Sequence, residues 1–144
     1  MPEVNRHCTT LAPSADGVRR TLDEFERFGR AYGLSDDLRR RVLVALDEIL
    51  TNIGQHGGSA DSLILVDCTV ADDRLTVTVE DSGSPFNPLD VPPGDTASPL
   101  EQRKAGGLGI ELVRRLFESV QYEHADSRNR LTITARISRD VNHP

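Results

Sequence analysis

The chain has 144 residues, 37% hydrophobic and 28% charged, with a formal charge of −6 and a pI near 5.2, which predicts one compact domain with a single core. An acidic balance lacks the electrostatic footprint of a phosphate-backbone partner, and no window approaches the roughly 20 apolar residues that span a bilayer, so neither direct nucleic-acid binding nor membrane insertion is expected. The first residues carry no apolar signal-peptide stretch, so a cytoplasmic address is expected, and Cys8 and Cys68 are too few for a disulfide framework and read as reduced thiols.

In chain order, Ser14 can cap a first helix whose apolar positions Val18, Leu22, Phe25 and Tyr32 recur at helical spacing up to Gly33. Ser35-Asp36-Asp37 offers a second cap, with acidic residues at the positive end of the helix dipole, and this helix is predicted to run to Gln55 or His56 before Gly57-Gly58. Within it, Arg39-Arg40-Arg41 reads as a solvated basic face. Leu63–Val70 and Leu75–Val79 are rich in β-branched residues and are separated by Asp72-Asp73, which predicts an antiparallel hairpin. The stretch from Ser82 to Ala105 holds five prolines and no periodicity, which predicts a long loop, either a functional lid or a disordered segment. Leu108–Phe117 reads as a third helix, followed by strands at Val120–Glu123 and Leu131–Ile137. The expected order is helix, helix, strand, strand, lid, helix, strand, strand. That order predicts an α+β two-layer sandwich in which one mixed β-sheet is covered on one face by helices.

Three motifs carry chemistry. On the second helix, Val42, Leu46, Ile49 and Ile53 form an apolar stripe, while Glu48, Asn52 and His56 fall four apart on another face. A carboxylate that can take a proton, one turn from an amide oxygen that can bind a hard cation, suits metal-assisted phosphoryl transfer, although the same residues also suit a solvated face. Glu80-Asp81-Ser82-Gly83 places a carboxylate at a strand end with a glycine two residues on, where it can accept from an exocyclic amine or simply make a turn. Gly106-Gly107-Leu108-Gly109 precedes a helix, so its amides can cradle a phosphate or serve as a hinge and cap. No Gly-Lys-Ser/Thr follows, which separates it from the Walker pattern.

In this order the three motifs resemble those of the GHKL (Bergerat-fold) ATPase superfamily, and most nearly its stand-alone anti-sigma-factor serine/threonine kinases of partner-switching systems. The resemblance covers about residues 10–138 and is most specific from Asp47 to Gly57, which is similar to the family's Glu-x-x-x-Asn-x-x-x-His-Gly helix. It implies Glu48 as catalytic base, Asn52 as Mg²⁺ ligand, and Asp81 as adenine partner with Gly83 beside it. It further implies Gly107, Leu108 and Gly109 as the phosphate-binding end of an ATP lid over about 84–106. Ser84-Pro85-Phe86-Asn87-Pro88 is similar to the segment that follows the adenine Asp.

Two departures stand out. Ala105 occupies the place of a basic residue that often precedes the lid glycines, which leaves either Lys104 or Arg103 to reach the γ-phosphate. Relatives often begin the last strand with Gly-Thr, whose Thr helps hold adenine through water, whereas Asn129-Arg130 stand here. The resemblance implies a kinase that uses ATP and Mg²⁺, phosphorylates a small anti-sigma-factor antagonist on serine, binds a sigma factor, and pairs as a homodimer through its first helix and sheet edge. Two rivals are a nucleotide-dependent binding module without kinase activity, against which the presence of Glu48 argues, and a slow ATP hydrolase.

Overall fold

A computed structural model describes residues 4–56, 63–85, 87 and 109–137. The elements are β1 (Val4–Leu11), α1 (Ala15–Ala31), α2 (Asp36–His56), β2 (Ile64–Ala71), β3 (Arg74–Asp81), α3 (Gly109–Leu116), β4 (Ser119–Ala125) and β5 (Arg128–Arg136). Both long helices start where their serines predict. Ser14 Oγ accepts from Gly17 N at 3.1 Å and Ser35 Oγ accepts from Leu38 N at 3.1 Å, each satisfying a donor the first helical turn leaves open. Gly33, at φ 74°, makes the left-handed turn between the helices.

The strands form one five-stranded sheet in the order β1-β2-β3-β5-β4. Every neighbouring pair is antiparallel, so the sheet is not mixed as expected. The reason is topological. Among the described residues one helix, α3, lies between β3 and β4 in the chain, and such a crossover returns the chain parallel to where it started, but β5 inserts between the two and pairs antiparallel with both. β1 and β2 are joined by two helices, and the three reversals of direction this makes leave them antiparallel.

β1 is an element the sequence did not betray. Its residues His7, Thr9 and Leu11 face the helices, so the buried side of the strand is largely polar and carries no apolar alternation. Pairing with β2, from Val4 opposite Ala71 to Leu11 opposite Ile64, defines it. His7 finds its partners in α1, where its Nε2 lies 3.2 Å from Glu24 Oε2 and its ring rests 6.0 Å from Phe28.

The core lies between the helices and one sheet face. Val42, Leu46 and Ile49 are fully buried and Ile53 is 7% exposed, so the stripe read from α2 is its core face. Opposite it, Val66, Val77, Val79, Leu131 and Ile133 alternate with outward residues such as Thr76, Thr78 and Thr132, the period of a sheet covered on one side. Cys68 is buried on this inner face, where burial first and the nearby charge of Asp67 next push its thiol up to about 12, while Cys8 is exposed; both are free thiols.

The basic triplet on α2 is not a solvated face. Arg39 is 8% exposed and ties α1 to α2, its guanidinium donating to Glu26 Oε1 at 3.1 Å, to Asp36 and to Leu34 O. Gly29 makes this passage possible, since a Cβ there would fall 2.8 Å from Arg39 Cδ. Arg41 Nη1 donates to Leu116 O at 2.8 Å, holding the C-terminal end of α3 against α2. Only Arg40 of the three faces solvent. Among the described residues no helix is long and apolar enough to cross a membrane.

Candidate functional site

α2 brings Glu48 and Asn52 one turn apart, flanking the core stripe. They differ in burial. Glu48 is half-buried, and its Oε1 is a buried oxygen with no hydrogen-bond partner among the described residues. Asn52 is 1% exposed, as buried as the stripe beside it, so this row is not a solvated face. Burial pushes the Glu48 carboxyl above its ordinary value, the negative charge of Asp47 adds to this, and a hydrogen bond with the Asn52 side chain pulls the other way. A carboxylate held with a raised proton affinity and an oxygen in want of a donor is suited to accept a proton from a hydroxyl nucleophile. His56 ends α2, and its side chain lies outside the described residues.

Asp81 closes β3, paired with Asn129 of β5 on one side and Ile64 of β2 on the other. It is 6% exposed. Its Oδ1 accepts from Gly83 N at 2.9 Å and from Asn129 Nδ2 at 3.0 Å. The turn reading and the base-partner reading of this motif are therefore compatible, because one oxygen makes the turn and Oδ2, which no described residue bonds, can accept from a ligand. Gly83 is the turn residue whose amide Asp81 captures. A depression of about 530 Å³ lined by Thr10, Leu65, Glu80, Asp81 and Arg128 opens at this end of the sheet.

α3 begins at Gly109, as the glycine-rich motif predicts, and packs on α2 with Val113 fully buried. Its free N-terminal amides are the part of the helix that can face an anion. Lys104, Gly107 and Leu108 lie outside the described residues, as does the expected lid of about 84–106 apart from Ser84, Pro85 and Asn87.

The structure adds Tyr122 and gives contacts to Asn129, which the sequence marks only as a departure from the family's Gly-Thr. Asn129, 3% exposed, donates from Nδ2 to Asp81 Oδ1 and to Ser84 O at 2.8 Å, and Tyr122 on the edge strand β4 donates its hydroxyl to Asn129 Oδ1. The signal was present. Carrying the alternation of Leu131, Ile133 and Ala135 back by two residues places Asn129 on the buried face, level with the end of β3. No comparable signal marks Tyr122.

Among the described residues no group of three or more His, Cys, Asp or Glu converges on one point. A fully protein-built metal cage is thus not what these residues offer. One amide oxygen from Asn52, with the remaining coordination supplied by phosphates and water, fits Mg²⁺, which dehydrates reluctantly and binds few protein ligands at nucleotide sites.

The chain is similar to known proteins in sequence and in fold. A profile of the histidine kinase-like ATPase domain matches residues 11–135. The chain is 31% identical over 136 residues to the serine-protein kinase RsbW of Bacillus pumilus, covering 88% of this chain and 81% of that protein. It is 31% identical over 101 residues to RsbW of Listeria monocytogenes, covering 66% of this chain and 62% of the relative. It is 27% identical to the serine/threonine-protein kinase BtrW of Bordetella bronchiseptica over 68% of this chain and 70% of that one. In structure, it superposes with a TM-score of 0.68 on the RsbU and RsbW domains of Rv1364c from Mycobacterium tuberculosis, at 18% identity, over 94% of this chain and 33% of the other, a likeness of fold.

Proposed function

Because the chain belongs to the histidine kinase-like ATPase family, we propose that it is an anti-sigma-factor serine kinase that transfers the γ-phosphoryl group of Mg·ATP to a serine of a small antagonist protein and also holds a sigma factor. The observation that carries the reading is the juxtaposition on α2 of Glu48, whose buried Oε1 has no partner among the described residues, with the buried amide of Asn52. The names of the relatives, serine-protein kinase and serine/threonine-protein kinase, support the same class of reaction.

In this reading Asp81 accepts from the 6-amino group of adenine through Oδ2, with Gly83 allowing the base to approach. Asn52 supplies an oxygen to Mg²⁺, and Lys104, Gly107, Leu108 and Gly109 face the phosphates. Bound Mg·ATP supplies a transferable phosphoryl group and a cation that offsets its charge. Glu48 orients the acceptor serine hydroxyl and takes its proton as the Oγ–P bond forms and the bond to the ADP oxygen breaks. The domain acts as one unit over about residues 10–138, in the cytoplasm and as a homodimer, with the segment over about 84–106 as its ATP lid.

The test is to incubate the full chain and a candidate antagonist with γ-labelled ATP and Mg²⁺. Label on one antagonist serine, lost on Ser→Ala substitution there, is the expected result. Label released only as inorganic phosphate would make the protein a slow ATP hydrolase, and ATP-dependent sigma-factor binding with no transfer would make it a binding module.

A further inference from the structure

Asp81 does not stand alone at the base end of the sheet. Asn129 Nδ2 faces three oxygens, Asp81 Oδ1 at 3.0 Å, Ser84 O at 2.8 Å and Gly83 O at 3.5 Å, while its Oδ1 receives the Tyr122 hydroxyl. A flipped amide would set its oxygen against Asp81 Oδ1 and Ser84 O, so these acceptors determine the orientation and the Tyr122 hydroxyl, which can serve either way, donates. Asp81 Oδ1 is then occupied twice, by Gly83 N and Asn129 Nδ2, and the carboxylate plane is fixed with Oδ2 as its remaining acceptor. An amide at position 129 can only donate through Nδ2, unlike a hydroxyl, which could reverse its role.

We propose that Asn129, locked by Tyr122, is the positioning residue that makes Asp81 an obligate, rigidly aimed acceptor, and that this pair sets the preference of the site for a 6-amino purine over a 6-oxo purine. The inference rests on the nucleotide-binding reading above and goes beyond it by assigning base selectivity to two residues outside the motifs. The chemistry is asymmetric. A fixed acceptor rewards an exocyclic amine and faces a 6-oxo group with lone pair against lone pair, and a site built around one hydrogen-bonding pattern rejects the analogue that lacks it. A loosely held Asp81 could turn away, the reward for the exocyclic amine would shrink, and the discrimination would fade.

ATP and ITP differ at this position and share the triphosphate, so the ratio of their affinities isolates the base. Calorimetric titration of the full chain with Mg·ATP and Mg·ITP is expected to favour ATP strongly. Tyr122→Phe keeps the ring and removes only the hydroxyl, and it should lower the ATP:ITP ratio by about threefold to tenfold. Asn129→Ala should lower it by about tenfold to a hundredfold, with ITP affinity nearly unchanged. If Asn129→Ala does not fold, Tyr122→Phe decides. A ratio that stays at the parental value in the folded variants, or ATP and ITP affinities that fall together as a merely structural role requires, would overturn the assignment. A parent that binds both nucleotides equally overturns it alone, whereas a parent that binds neither removes the nucleotide-binding reading as well.

Discussion

The two ends of the site are built on opposite terms. At the proposed base end, Asp81, Gly83, Asn129 and Tyr122 form one hydrogen-bonded network at the ends of β3, β4 and β5, in which no described residue bonds Asp81 Oδ2. On α2, two buried side-chain atoms lack a hydrogen bond among the described residues, Arg41 Nε and Glu48 Oε1, and the first lies 3.1 Å from Asp37 Oδ2. That leaves Glu48 Oε1 as the one with neither a hydrogen bond nor an ion pair among the described residues. An unsatisfied buried polar group costs about 1–3 kcal/mol. On the proposed function, recognition is preorganised and cheap to maintain, whereas the Glu48 carboxylate is held at a cost to the fold, the pattern expected where a group is kept for chemistry rather than stability.

The largest effect that sharpens this contrast is expected at Glu48. Glu48→Gln should lower phosphoryl transfer by about 10²–10⁴-fold, the usual worth of a positioned general base, and leave Mg·ATP affinity within several-fold of the parent. Because the parental carboxyl sits above its ordinary value, the acid limb of the parental rate profile should have its midpoint above about pH 4.3. Transfer by Glu48→Gln at the parental rate would remove the base role.

A smaller effect is expected one turn away. Asn52→Ala should weaken ATP binding about tenfold or more in the presence of Mg²⁺ and much less in its absence, since it removes a metal oxygen rather than a base contact. The same change deletes the hydrogen bond that draws the Glu48 carboxyl down, so that carboxyl should titrate higher still. Equal losses with and without Mg²⁺ would place Asn52 in the scaffold and not at the cation.

The smallest effect is on stability, and its sign is diagnostic. Folded Glu48 holds its proton more tightly than the unfolded chain does, so between the ordinary and the raised value the folded state binds more protons. Stability from this group therefore falls as pH rises through that window and stays lower above it. Glu48→Gln should then be neutral or stabilising at pH 7, by about 1 kcal/mol or less for a half-buried group, with the gain absent near pH 4. Equilibrium denaturation of both proteins at the two pH values decides it, and clear destabilisation at pH 7 would contradict the account of the strained end.

Much of this was legible in the sequence because local chemistry dictated it. Ser14 and Ser35 cap the helices they precede, Asp72-Asp73 makes the hairpin turn, and the apolar stripe of α2 is the core face. What was not legible depends on contacts distant in sequence. β1 has a polar inner face and exists by pairing with a strand that begins at Ile64. The antiparallel sheet follows from where β5 inserts, which no local pattern encodes. Arg39 reads as a surface charge until Glu26 and Asp36 are seen around it. In the site, motif spacing selected Glu48, Asn52 and Asp81, but Asn129 and Tyr122 acquire their roles only through strand register and a cross-strand hydrogen bond.

The most direct test of the central claim, that these residues form a nucleotide site, is calorimetric titration of the full chain with Mg·ATP alongside Asp81→Asn. The account predicts saturable binding by the parent, thermal stabilisation equivalent to about 2.7 kcal/mol at a hundredfold excess over Kd, and clearly weaker binding by Asp81→Asn, whose amide can present a donor to adenine. A folded parent that shows neither heat nor stabilisation with millimolar Mg·ATP would contradict it.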